Sequence, residues 1–214
     1  MTRPEIIAHR GASRERPENT LAAFERAIEV GAGGVELDVH LHPDGVLRVH
    51  HDPLPAQEDA THGEATHPAP PTLEDTLRVI AAGGLTAYCE LKSAGTAQGT
   101  LEAIQARGGN AAVHSFDHRL IAEARRIAPG IARGVLEVSY PVDPLHALEM
   151  VGGRDLWRQW PFVDAALVRA AHATGARVIA WTVNDPALMK RFAAMGVDAL
   201  CTDDPALARR VLGT

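Results

Sequence analysis

Cysteine is nearly absent from this 214-residue chain: Cys89 and Cys201 stand far apart, with no neighbouring cysteine at metal-binding or redox spacing. Two small buried thiols in a reducing, cytoplasmic compartment are therefore expected rather than a disulfide framework. A basic excess is also missing, since 21 Lys and Arg against 27 Asp and Glu leave a net charge of −6 with no basic run. The whole-protein field thus does not favour nucleic acid or an anionic membrane surface, and an anionic ligand must be drawn by local cations or a bound metal. No uninterrupted apolar run reaches membrane-spanning length, and neither a signal peptide nor an anchor is visible, so no stable membrane association is expected. With no internal repeat or linker, residues 1–214 are expected to form one domain.

What is present is an alternation of short β-branched runs, loops, capped amphipathic helices and glycines. Parallel strands are expected near residues 5–9, 34–39, 86–92, 111–116, 131–137, 155–160, 177–183 and 198–202. Eight such strands suggest an α/β fold, a closed (β/α)8 TIM-type barrel. Asn19 reads as the cap of a first helix, Thr72 as the cap of a second, and Asp185-Pro186 and Asp204-Pro205 as caps followed by proline in the first turn. Val46–His50 follows the second strand too closely for a parallel crossover and must return as a β-hairpin extension. A two-residue Asp44-Gly45 turn would place Asp38 opposite His51. Residues 53–71, rich in Pro, Ala, His and Glu, read as loop.

Four clusters carry chemistry. The first strand ends in His9-Arg10-Gly11, at the carboxyl end where barrels keep their reactive groups. Glu36 and Asp38, two apart on one strand, point to the same face, and such like charges are costly to bury without a cation between them. A hard divalent ion, Mg2+ or Ca2+, is the natural partner. His50-His51-Asp52 returns on the hairpin, and Glu90 and Lys92 again share one strand face. Three carboxylates, two histidines and two cations suit phosphoryl chemistry: imidazole gives or takes a proton near neutrality, while cations neutralise the phosphate oxygens. Of the eleven histidines, His40 and His42 share the parity of Glu36 and Asp38 but lie farther up the hairpin, and are expected at the solvated surface. His50 is expected to face outward, and His62, His67, His114, His118, His146 and His172 to be structural or solvated. Trp181 is placed either at a pocket mouth or in packing, and Asp203 either at the site or in a turn.

At these residues the chain resembles the glycerophosphodiester phosphodiesterase family. The matching pieces are His9-Arg10-Gly11 with Pro17-Glu18-Asn19-Thr20, Glu36-Leu37-Asp38, His51-Asp52, Pro71-Thr72-Leu73-Glu74, Glu90-Leu91-Lys92, Trp181-Thr182-Val183-Asn184 and Thr202-Asp203 before Pro205, in family order. The resemblance implies His9 and His51 as the catalytic pair, Glu36, Asp38 and Glu90 as ligands of one divalent metal (Mg2+ or Ca2+, with Mn2+ an alternative), and Arg10 and Lys92 as phosphate-binding cations. It implies hydrolysis of a glycerophosphodiester to an alcohol and glycerol 3-phosphate. The family's arginine-threonine-threonine element after the histidine-aspartate is missing, which leaves the alcohol undefined. Three other readings stay open: phospholipase-D-like action on lysophospholipids or sphingolipids, a metal amidohydrolase, and a non-catalytic barrel that binds phosphate ligands.

Overall fold

The computed structural model describes residues 3–52 and 69–213. His62, His67 and most of the loop expected at 53–71 lie outside the described residues. The strands are β1 (Glu5–His9), β2 (Gly34–Leu41), β3 (Leu47–Val49), β4 (Thr86–Leu91), β5 (Ala111–Ser115), β6 (Ala132–Glu137), β7 (Asp155–Gln159), β8 (Arg177–Trp181) and β9 (Ala199–Thr202). Between and after them run α1 (Leu21–Glu29), α2 (Leu73–Ala82), α3 (Thr96–Arg107), α4 (His118–Ile127), α5 (His146–Met150), α6 (Ala165–Ala173), α7 (Pro186–Met195) and α8 (Pro205–Leu212). Apart from β3, the strands pair in parallel in the order β1-β9-β8-β7-β6-β5-β4-β2, and pairing of β1 with β2 closes the (β/α)8 barrel.

Side-chain alternation divides the core in two. Outward residues of the strands, such as Val35, Leu37, Cys89, Leu156 and Val178, join the inner faces of the helices in one large apolar layer. Inward residues Ile7, Tyr88, Ala112, Leu136, Trp157, Ile179, Ala199 and Cys201 fill the barrel itself. Both cysteines are free and buried, as their spacing implied. At the amino-terminal end of the barrel, Arg177 bonds Glu5 at 2.6 Å and Tyr88 at 3.2 Å, so polar groups there satisfy one another.

Helix starts follow the expected cap chemistry at Thr72, Asp185 and Asp204, whose side chains accept backbone N–H bonds of the first turn. The first helix differs. Thr20, not Asn19, caps α1 by accepting from the Ala23 N–H at 3.2 Å. Asn19 sits one residue earlier, in the left-handed region at φ +55°, and its side chain turns into the barrel mouth.

The hairpin also differs by one residue. Val39 pairs with Val49 and Leu41 with Leu47, and His50 donates its N–H to the Asp38 carbonyl, so His50 rather than His51 lies opposite Asp38. The connection is a three-residue loop, Pro43-Asp44-Gly45. His42 accepts from the Gly45 N–H and Gly45 takes φ +81°, the left-handed residue that this loop length requires. Because β1 pairs with β2 only as far as Glu36, β3 takes up the edge of β2 that β1 leaves free.

Candidate active site

A cavity of about 230 Å³ opens at the carboxyl ends of the strands. Its polar wall holds His9, Arg10, Glu36, His51, Glu90 and Lys92, so six of the seven residues singled out in the sequence share one pocket. The seventh, Asp38, is fully buried beside them.

Strand parity builds this wall. Glu36 and Asp38 project inward from β2, and Glu90 follows Tyr88 on the inner face of neighbouring β4, whose register sets Asp38 beside Glu90. Lys92 comes one step beyond the end of β4 and ion-pairs with Glu90 at 3.0 Å and Asp38 at 3.3 Å. After His9 the chain turns sharply, with Arg10 at φ +56° and Gly11 at φ +83°. A Cβ at Gly11 would come within 2.7 Å of the Ala23 backbone, so only glycine lets the β1 turn lie against α1. That turn aims the Arg10 N–H at Glu36 Oε2, 3.1 Å away. It also sends the guanidinium to Asp38 at 3.2 Å and Glu18 at 3.0 Å.

The three carboxylates differ in what surrounds them. Burial pushes the Asp38 carboxyl up, but Lys92, Arg10 and a 2.8 Å hydrogen bond from Asn19 Nδ2 together hold it below its usual range. Asp38 is thus the anchor that gathers the cations. Glu36 is raised well above its ordinary value by burial and by the nearby Asp38 and Glu90 charges. Burial, with Asp38 next, pushes Glu90 up to about 7. Burial and like charge thus outweigh the nearby Lys92 and Arg10 at these two carboxyls. A divalent cation fits there on chemical grounds.

Each candidate proton-transfer histidine carries its own carboxylate. His9 Nδ1 lies 2.6 Å from Asp203 Oδ1, and His51 Nδ1 lies 2.8 Å from Asp52 Oδ1. Asp203 is further held by Asn184 Nδ2 at 2.6 Å and Ser13 Oγ at 3.3 Å. Burial raises its pKa, but the bonds from His9, Asn184 and Ser13 leave the carboxyl below its ordinary value. A carboxylate on Nδ1 sets the tautomer and leaves Nε2 as the working atom. Asp203 therefore orients His9, while the adjacent Asp204 caps α8, which resolves the two roles the sequence left open.

The facing wall is apolar and aromatic: Phe116, Leu136, Trp157 and Trp181. Trp181 belongs to the pocket and meets Phe116 edge to face at 5.6 Å. His114 also lines the pocket, contrary to the structural role expected for it. It follows Ala112 on the inner face of β5, stands beside Glu90 in register, and stacks on Trp157 at 4.2 Å. Donor atoms of Glu36, Glu90 and His114 all lie within 4.8 Å of one another. A polar residue with inward parity on a buried strand was the available signal for His114, and Asn19 was marked only by its place in the Pro17–Thr20 segment.

His40, His42 and His50 lie outside the pocket, as expected, but pack together rather than standing free in solvent. His40 and His50 stack at 4.3 Å, and the His42 and His50 Nε2 atoms are hydrogen-bonded at 2.8 Å.

A barrel that gathers histidines, carboxylates and cations around one cavity at its carboxyl-end mouth fits a hydrolase of charged esters. The model of the glycerophosphoryl diester phosphodiesterase family matches residues 9–67 and 55–207. A glycerophosphodiester phosphodiesterase of Caldanaerobacter subterraneus is 31% identical over 234 residues, covering 94% of each chain. Among solved structures, an Oleispira antarctica phosphodiesterase in complex with its product sn-glycerol-3-phosphate superposes with a TM-score of 0.88 at 28% identity, covering 99% of this chain and 98% of that one. A glycerophosphodiester phosphodiesterase of Parabacteroides distasonis gives a TM-score of 0.84 at 26% identity, covering 99% and 97%. The chain belongs to the glycerophosphoryl diester phosphodiesterase family and is a phosphoric diester hydrolase.

Proposed function

We propose that the chain hydrolyses glycerophosphodiesters to an alcohol and glycerol 3-phosphate, with His9 and His51 as the acid–base pair and one divalent ion as cofactor. The observation that carries this reading is the convergence of two carboxylate-backed imidazoles, two cations and a cluster of buried acids on one cavity. Glu36, Asp38 and Glu90 would hold the ion, which when bound neutralises charge on the phosphoryl oxygens. Arg10 and Lys92, each partly exposed to the cavity, bind the phosphate. One imidazole takes the proton from the attacking oxygen and the other gives a proton to the departing alcohol. The attacking oxygen is either water or the neighbouring 2-hydroxyl of the glycerol, which would give a cyclic phosphate that water then opens. The product held by the Oleispira antarctica relative supports glycerol 3-phosphate as the retained half. The test is a screen of phosphodiesters with added divalent ions and identification of both products. Release of the alcohol with glycerol 3-phosphate supports the reading, and a phosphorylated head group with free glycerol refutes it.

A second reading has its own observation. Phe116 of the apolar wall is itself exposed, as are Val138 and Tyr140 just beyond the carboxyl end of β6, and such side chains suit an acyl chain. Lysophospholipids would then be cleaved on the same side of the phosphate, releasing the head-group alcohol. Comparing lysophosphatidylcholine with glycerophosphocholine as substrates decides between the two.

A further inference from the structure

His114 has no role in the acid–base chemistry above, yet it is among the least accessible polar groups of the barrel. It is 1% exposed, and neither ring nitrogen has a hydrogen-bond partner. Buried imidazoles are otherwise satisfied, so two unpartnered nitrogens point to a ligand that supplies the missing partner. The ring has little freedom: its face is stacked on Trp157 with an interplanar angle of 11°, and its Nε2 is 3.9 Å from Glu36 Oε1. The β4–β5 register puts it directly beside Glu90. Its donor atom therefore joins a carboxylate oxygen from each of two strands within 4.8 Å, the spread that a single ion spans. Asp38, by contrast, already has Arg10, Lys92 and Asn19 around it.

Resting on the metal-dependent reading above, we infer that His114 is a metal-ligating residue that adds a nitrogen donor to the carboxylates. The consequence is selectivity. Mg2+ and Ca2+ take oxygen donors almost exclusively, whereas imidazole suits borderline ions such as Fe2+, Ni2+ and Zn2+. The site is thus tuned toward borderline divalent ions.

The test uses the full chain, stripped by chelation and reloaded with one ion at a time. Pulsed electron paramagnetic resonance of the Mn2+-loaded wild type should show hyperfine coupling to one directly bound ¹⁴N nucleus, absent in His114→Gln. Calorimetric titration should show that His114→Gln and His114→Ala weaken Zn2+ binding by roughly tenfold or more. Ca2+ affinity should change by less than about threefold. Thermal melts of the metal-free proteins control for folding, and the resonance measurement on the wild type stands even where a variant does not fold. Mn2+ bound without nitrogen coupling, or variants with unchanged Zn2+ affinity, would overturn the assignment of His114 and leave the metal-dependent reading standing. A wild type that binds none of these ions overturns both.

Discussion

Nδ1 of His9 and Oδ1 of Asp203 lie 2.6 Å apart, joining the end of the first barrel strand to the end of the last across 194 residues of chain. The pair exists because β1 and β9 are neighbours in parallel register, with Ala8 opposite Thr202. The next residue on each strand then faces the same mouth. Asp203 is itself fixed by Asn184 and Ser13, so the imidazole is held in one tautomer and one direction.

Asp203→Asn should therefore reduce kcat by roughly 10²-fold with little change in KM, because the ring loses its orienting acceptor rather than a substrate contact. His9→Ala and His51→Ala should each lose at least about as much. Steady-state kinetics on variants with wild-type circular dichroism checks this. A folded His51→Ala enzyme of near-normal activity would sink the two-histidine mechanism.

The metal-free protein should become less stable as pH rises toward neutrality. Glu90 titrates near 7 in the folded state against an ordinary value of 4.5, and Glu36 is shifted the same way. The folded state then binds more protons than the unfolded one in that window, so the contribution of these two carboxyls is full below about 4.5 and is lost as pH passes about 7. Asp38 and Asp203, held low, act at the other end, and their contribution disappears as pH falls through their depressed folded-state values. Melting temperatures across pH should show the neutral-range decline without metal and a flatter profile with a saturating divalent ion. Glu90→Gln should remove part of the decline.

Exhaustive chelation should abolish turnover, and Mg2+, Ca2+ or Mn2+ should restore it. Glu36→Gln should weaken ion binding while the protein stays folded, since it also relieves like-charge crowding with Asp38 and Glu90. Full activity with no metal found by elemental analysis would refute the cofactor.

Asn19→Ala should destabilise the fold by about 1–3 kcal/mol, because it removes the buried amide that donates to Asp38. Asn19→Gly loses the same bond, but glycine tolerates the left-handed backbone at φ +55°, so it should be less damaging than alanine. Urea denaturation of both variants measures the difference. Equal stability of Asn19→Ala and wild type would deny Asn19 its place in the site.

Head groups should be poorly discriminated. Phe116, Leu136, Trp157 and Trp181 form an apolar wall, and an alcohol that no buried polar group grips is not penalised for being the wrong one. Glycerophosphodiesters of choline, ethanolamine and inositol should show kcat/KM values within roughly 10²-fold of each other. One strongly preferred head group contradicts the open wall. Unchanged rates with a diester lacking the 2-hydroxyl contradict the cyclic route.

Local pattern determined much of this protein. Strand and helix alternation, the caps at Thr72, Asp185 and Asp204, and the parity of Glu36 with Asp38 and of Glu90 with Lys92 depend on neighbours within a few positions, and these were legible in the chain. Periodicity tells which face a residue takes, but not what it meets there. The tertiary structure alone decided that His114 stands beside Glu90 and that Asp203 holds His9, since both follow from strand register and barrel closure. It also drew Asn19 away from capping, because a buried carboxylate at Asp38 needs its amide more than the helix does while Thr20 is there to cap. The hairpin shows the boundary most directly: Asp44-Gly45 announced a turn, but its length was set by the backbone that left-handed Gly45 completes, and one residue of difference changed which histidine faces Asp38.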